Sequence, residues 1–306
     1  MTLSATAPSG FLGPPRSRAS RIAAEHAWLP ENAAATVSAR RRAQERADAD
    51  YARPHVVPDG GPHATRLVPE VHRSGLFQAA SRALVGRTAN DPRPHREHLT
   101  GAVFGTGAGR IQYDGPRLDQ GHASVFLWVV NQARGATPVD PVRFRATEAC
   151  RALAWSESAY SRRSVRAALA DLQQAVLSFT IVRRGSPAPQ PVRVSVQLVG
   201  RLEDDGYDIV VSLDESILDL FRGDLTHINI ERRALLREGV ETWLYGFIRA
   251  SRFYRAVPYE ELHAAAACAQ PLYEFARDVR AALTRMQNAK LIREWAKKRG
   301  AVAIWK

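Results

Sequence analysis

The chain has 306 residues, 45% of them hydrophobic, with 43 Lys or Arg against 31 Asp or Glu and a formal charge of +12 at pH 7. That length can bury one or two sizeable cores, since single domains run roughly 100 to 200 residues, and the basic excess, with a pI near 10.3, points to an anionic partner such as nucleic acid. The two cysteines, Cys150 and Cys268, sit in separate Ala-rich stretches, which excludes a disulfide framework or a cysteine-rich zinc site.

Residues 1–64 mix Pro, Gly, Ala and charge without sustained periodicity. Such a segment cannot bury enough apolar surface to offset its chain entropy, so a mostly disordered arm is expected, apart from a helix-like stretch at Ala33–Ala49 that carries Arg40, Arg41 and Arg42. Met1–Pro15 lacks the apolar core of a signal peptide. The longest apolar run, Ala123–Val130, falls short of the roughly 20 residues that cross a bilayer. A soluble, cytoplasmic protein with no membrane partner is expected.

From Thr65 the texture changes. Leu67, Val68 and Val71 lead into Arg73-Ser74-Gly75-Leu76-Phe77 and then into a basic, Pro-rich link. His55, His63, His72, His95 and His98 lack His-x3-His spacing, and although His95-Arg96-Glu97 has His-x-Glu spacing no cysteine lies nearby, so they read as surface histidines and no metal site is assigned. Ala102–Phe104 and Arg110–Tyr113 read as two short strands around the Gly-rich turn at 105–109. No Lys-Ser or Lys-Thr follows that turn, so it is a hairpin and not a phosphate loop.

A helix apolar nearly all round is predicted over Leu118–Ala133, hence central to its domain. Val142–Phe144 is strand-sized, Thr147–Trp155 a short helix, and Ser156 can cap the next one. In that helix Val165, Leu169, Leu172 and Val176 form the inward face, with Arg162, Arg163 and Arg166 off it. A long ribbon follows: Phe179–Arg184, Val192–Arg201 and Tyr207–Leu213, with turns at 185–191 and 204–206. After a helical stop at Ser216–Phe221 the pattern restarts. A long helix spans Leu235–Ala250, Val257 is a short strand, Pro258 opens a helix over Tyr259–Cys268, and Pro271 opens the last one. Proline suits a first helical position because that N–H lacks an intrahelical partner anyway.

In the last helix Leu272, Phe275, Val279, Leu283 and Met286 recur at three- and four-residue steps and share one stripe. Arg277, Arg280 and Thr284 fall off it, with Arg285 beside them. Leu291–Ile292 and Val302–Trp305 then flank Lys297, Lys298, Arg299 and Gly300, a charged hairpin. From Pro271 to Lys306 there are nine Lys or Arg against three acids, half of the chain's formal charge.

A short helix leading into a basic helix and a hairpin is the winged form of helix-turn-helix. The basic helix fits the major groove and the wing follows neighbouring phosphates. The expected fold is therefore α+β: a disordered N-terminal arm over 1–64, a first winged-helix domain over 65–230, and a second over 231–306. The DNA-binding candidates are Arg162, Arg163, Arg166, Arg277, Arg280, Thr284, Arg285, Lys297, Lys298 and Arg299. Two such units could read successive major grooves across roughly 15 to 22 base pairs. Winged helices also serve as protein-interaction modules, and the long first ribbon could pair with another chain instead.

Several stretches resemble the TrfA-type plasmid replication initiators: Arg73-Ser74-Gly75-Leu76-Phe77, Tyr113-Asp114-Gly115 with the Leu118 helix, Trp155-Ser156 with Leu169, Leu172 and Gln173, and Leu220-Phe221-Arg222-Gly223-Asp224. The resemblance runs from about residue 70 to the end. It implies a tandem winged-helix initiator that binds repeated sites (iterons) on double-stranded origin DNA, opens adjacent AT-rich DNA, engages the host initiator and helps load the replicative helicase. A monomer–dimer equilibrium, with the first winged helix as dimer surface, and contact with the host sliding clamp are implied too. Two departures stand out: Ser161 and Arg162 occupy positions where the family has aromatic residues, and Ser74-Gly75-Leu76-Phe77 lacks the Gln of the clamp motif.

Two other classes compete. A transcriptional repressor on the same fold would occupy an operator and leave neighbouring DNA closed. A nicking enzyme would need a Tyr nucleophile beside metal-bound histidines, and Tyr160 and Tyr254 have no such set near them in sequence. No catalytic residue and no cofactor is assigned.

Overall fold

The protein is described from a computed structural model, which covers residues 54–80, 97–105, 110–182, 191–222, 224–251 and 256–306. All of these belong to one unit, Asp50–Lys306. The arm over 1–53, with Arg40 to Arg42, lies outside the described residues, as does most of the Gly-rich turn.

The end of the expected arm is packed. Val57 is fully buried and exchanges backbone hydrogen bonds with Ala136 and Gly135. Strand β1 (Ala64–Leu67) leads into helix α1 (Pro69–Arg73), strand β2 (Phe77–Gln78) and, past the link, β3 (His98–Phe104) and β4 (Ile111–Pro116). Strand β5 (Leu118–Asp119) opens helix α2 (Gln120–Gln132). Asp119 caps it: Oδ1 accepts from the Gly121 and His122 amides at 2.9 and 3.1 Å, satisfying two donors that no helical carbonyl can reach. From Gln120 to Asn131 every residue of α2 is buried, so the all-round apolar pattern does mark a central helix.

Next come β6 (Val142–Arg145), α3 (Ala146–Ala152) and α4 (Ala159–Gln173). Ser158, not Ser156, is the N-cap of α4; its hydroxyl accepts from the Ser161 amide, while Ser156 bonds the Ser161 hydroxyl at 2.9 Å. Val165, Leu169 and Leu172 are fully buried as expected, but Val176 belongs to strand β7 (Val176–Val182), because the helix ends at Gln173.

The ribbon read as one feature is two. β7 and β8 (Pro191–Gln197) complete a four-stranded antiparallel sheet, β3-β4-β7-β8. β9 (Arg201–Asp204) and β10 (Asp208–Ser212) form a separate hairpin that pairs with β6, in the order β6-β10-β9. Alternation cannot separate these outcomes, since both strands of a long ribbon share the same period. A 3-10 turn (Glu215–Phe221) then reaches β11 (Thr226–Asn229), which pairs with β1 in an antiparallel register from Ala64↔Asn229 to Leu67↔Thr226.

Of the helix expected over Leu235–Ala250 only α6 (Val240–Ala250) is helical, opened by Gly239 at φ 111°, and a separate short helix, α5 (Ile230–Ala234), ends just before the expected span. Strand β12 (Val257–Pro258), helices α7 (Tyr259–Ala266) and α8 (Leu272–Asn288), and the hairpin β13 (Glu294–Lys298) and β14 (Ala301–Trp305) complete the chain, with sheet order β12-β14-β13. Buried apolar residues form one cluster from Val57 to Ile304, across the boundary expected near 230.

His72 departs from the surface reading. It lies against Gly246 of α6, and its Nε2 is enclosed without a hydrogen-bond partner. Burial, aided by the nearby Arg233 charge, holds its pKa down to about 3. The unfolded chain therefore takes up this proton near pH 6.5 and the folded one does not, so stability falls as pH drops from about 6.5 towards 3. Between pH 7 and 5 this group is expected to cost about 2 kcal/mol. His72→Gln should flatten that part of the pH profile of urea unfolding; an unchanged slope would show the ring is solvated.

Candidate nucleic-acid interface

The order helix, strand, helix, helix, hairpin occurs twice: α2-β6-α3-α4-β9-β10 and α6-β12-α7-α8-β13-β14. The sheets agree as well. In each the first strand pairs with the last strand of the hairpin, which pairs with the middle one. The repetition was legible in the sequence; the insertion of β7 and β8 between α4 and its hairpin was not.

In both arginine-bearing helices an apolar stripe is wholly buried, Val165, Leu169 and Leu172 in α4 and Phe275, Val279, Leu283 and Met286 in α8. Leu272, read as part of the second stripe, is instead 36% exposed in the first turn of α8. Relative to these stripes Arg163 matches Arg277 and Arg166 matches Arg280. Arg163 and Arg277 are exposed; the Arg277 Nε lies 3.2 Å from Asp278 Oδ1 with the side chain still 68% exposed.

Other expected contacts are turned to the protein itself. Arg166 donates through Nε to Asp204 Oδ2 at 2.7 Å and through Nη2 to the Gly206 carbonyl at 2.9 Å, tying α4 to its own hairpin. Arg162 donates to the Glu157 carbonyl at 2.6 Å. Arg280 is half-buried with its guanidinium 5.8 Å from the centre of the Tyr259 ring. Arg285 reaches Glu241, a carboxylate 6% exposed on α6, and so anchors α8 from behind. Thr284 is exposed, with its hydroxyl bonded to the Arg280 carbonyl at 3.0 Å. The counterpart of the Arg285 tie in the first repeat is Asp171, whose Oδ2 lies 3.1 Å from the buried His122 Nε2 on α2. No sequence spacing relates either pair, since the partners lie on separate elements.

The two hairpins differ in charge. Lys297, Lys298 and Arg299 are exposed at the β13–β14 turn, closed by Gly300 at φ 67°. The β9–β10 turn carries Glu203, Asp204, Asp205 and Asp208 instead. Backbone amides of Tyr207 and Asp208, at 2.8 and 2.7 Å, hold the Asp205 carboxyl below the usual range, so it stays ionised. Arg143 and Arg145 pair with Asp208, and Arg145 stacks over the Tyr207 ring at 4.3 Å. The second hairpin thus presents exposed cations that suit phosphate, whereas at the first the acids are largely paired with Arg143, Arg145, Arg166 and Arg201.

Where the repeats meet there is a cavity of about 280 Å³ lined by Ser124, Leu127, Leu153, Trp155, Arg233 and Glu238, among others. Arg233, 6% exposed, donates to Gln120 Oε1 at 2.7 Å and to Ser124. Burial lowers its pKa to about 10, against the charge of Glu238. Among the described residues no group of three His, Cys, Asp or Glu is placed to hold a metal ion, and no helix is long and apolar enough to cross a membrane. Leu76 and Phe77, the clamp-like pair, are 1% and 5% exposed and are covered in this fold.

No family model matches the chain, and no curated protein matches it in sequence. Two solved structures of RctB domains 2 and 3 are similar in chain path. One shares 12% identity with a TM-score of 0.48, covering 78% of this chain and 96% of its own. The other shares 12% with a TM-score of 0.45, covering 68% and 90%. Likeness at this level extends neither to a family nor to an activity.

Arg285→Ala is expected to lower unfolding free energy by about 1 to 2 kcal/mol, because it leaves the Glu241 carboxylate buried with less compensation. The double variant with Glu241→Gln should lose less than the sum of the two. Urea unfolding checks both, and strict additivity would show that the pair is not coupled.

Proposed function

We propose that this chain binds duplex DNA sequence-specifically, with α8 in the major groove and the β13–β14 hairpin along the flanking phosphates. In this reading each repeat is a winged helix. One observation carries it: Arg277 stands exposed on α8 in the same unit whose hairpin presents Lys297, Lys298 and Arg299. An exposed guanidinium suits the paired acceptors of guanine, and lysines on a turn suit phosphate.

The first repeat has a smaller share, Arg163 on α4, because Arg162 and Arg166 are engaged within the protein and its hairpin is acidic. The interface is thereby narrowed to Arg163, Arg277, Arg280, Thr284, Lys297, Lys298 and Arg299. The role we assign is non-catalytic initiation of plasmid replication at repeated origin sites, with opening of AT-rich DNA and engagement of host replication factors. The ordered motifs between Arg73 and Asp224 support that part of the reading.

On a duplex taken from the DNA flanking the gene, Arg277→Ala should weaken specific binding by about 1 to 3 kcal/mol and relax preference at one base pair. Lys297→Ala and Lys298→Ala should weaken binding to all duplexes alike and each reduce the salt slope by about one. Wild-type affinity in all three would place the interface elsewhere. Permanganate footprinting tests the initiator role, since unpaired thymines beside the bound site are expected, whereas a repressor leaves that DNA closed.

A further inference from the structure

Ser74-Gly75-Leu76-Phe77 is the stretch compared in the sequence with a clamp motif, and its Leu76 and Phe77 are buried within a strap over Ser74–Ala80. What the strap touches gives it a role. On one side it is fastened to the first repeat. Phe77 stacks on Phe126 of α2 with ring centres 6.0 Å apart, and Gln120 at the start of α2 donates to the Phe77 carbonyl at 2.6 Å. β2 runs parallel to β5, and the Gln120 amide donates to the Ala80 carbonyl at 3.2 Å.

On the other side the same few residues meet the turn between α7 and α8 of the second repeat. The Ala79 amide donates to the Ala266 carbonyl at 3.1 Å. Gly75 lies against Ala267, which adopts φ 46° to make that turn. A methyl group at Gly75 would overlap the Ala267 methyl and lie 3.0 Å from both the Ala265 carbonyl oxygen and the Ala267 nitrogen. Gly75 has no positive φ, so glycine is needed here for closeness and not for backbone freedom.

We propose that this strap is a spacing gauge, with Gly75 as its positioning residue. By holding the α7–α8 turn at van der Waals distance from a segment stitched to α2, it fixes the separation and twist between α4 and α8. It therefore fixes the distance between the two blocks of DNA sequence the protein accepts. This rests on the reading above that both helices face DNA. One inserted base pair moves the second block by about 3.4 Å and rotates it by roughly 35°. A rigid pair of readers cannot follow that change, and a loosened pair can.

The experiment uses the full chain and a duplex selected by the wild-type protein from a random pool, together with versions carrying one base pair more or fewer between the two selected blocks. Wild type is expected to lose about 10-fold or more in affinity on either change, and Gly75→Ala about 3-fold or less, with its affinity for the selected spacing reduced. Ala267→Gly, which removes the overlapping methyl, should restore spacing discrimination to Gly75→Ala. Circular dichroism and melting of each variant establish that the chain is folded, and Ala267→Gly alone, folded with wild-type discrimination, completes the set.

If folded Gly75→Ala keeps the wild-type penalties, or loses affinity equally at all spacings, the strap does not gauge spacing and the inference fails while the DNA-binding reading stands. If Gly75→Ala does not fold, the Gly75→Ala and Ala267→Gly double variant decides on the same measure. There, wild-type discrimination supports the gauge and uniform loss overturns it. If wild type selects no sequence from the pool, the DNA-binding reading falls first and the inference with it.

Discussion

Phe275, Val279, Leu283 and Met286 retain no exposed surface, and that burial sets the azimuth of α8. Rotating the helix by even one residue, about 100°, would exchange an apolar side chain for a charged one in the core, at a cost far above any single surface contact. The same constraint acts on α4 through Val165, Leu169 and Leu172. With both helices locked in rotation, the outward direction of Arg163 and Arg277 follows from the core and not from any interaction the arginines make.

Burial of the stripe leaves sliding and tilting undetermined, and polar ties settle these. Arg285 to Glu241 and Asp171 to His122 each hold the arginine-bearing helix to the long helix that opens its repeat. The tied position on the arginine-bearing helix is the same in both repeats, Asp171 or Arg285, while the carboxylate lies on that helix in the first and on the partner helix in the second. Arg166 adds a second tie in the first repeat by joining α4 to its hairpin. These contacts divide the arginines into those that hold the fold and those that remain available, a division that charge counting alone could not make.

The repeats are not equivalent surfaces. The turn with Lys297 to Arg299 and the turn around Asp205 occupy matching places, the first with exposed cations and the second with acids largely paired with arginines. The repeats are joined by elements that belong to neither pattern: the strap at Ser74–Ala80, the β1–β11 pair, and Arg233 bonded across to α2.

The sequence by itself determined the α+β class, the doubled order of elements, the buried stripes and the basic character of the last hairpin. These follow from periodicity, proline placement and local charge, all short-range signals. It did not separate β7–β8 from β9–β10, because strand alternation carries no information about which neighbour a strand joins. It could not show that Arg166 and Arg285, both among the expected DNA contacts, are tied to Asp204 and Glu241, or that His72 lies against the Gly246 face of α6, because those partners are distant in the chain. Only the tertiary structure decided those three, since desolvation and ion pairing depend on what packs across a gap and not on what lies next in sequence.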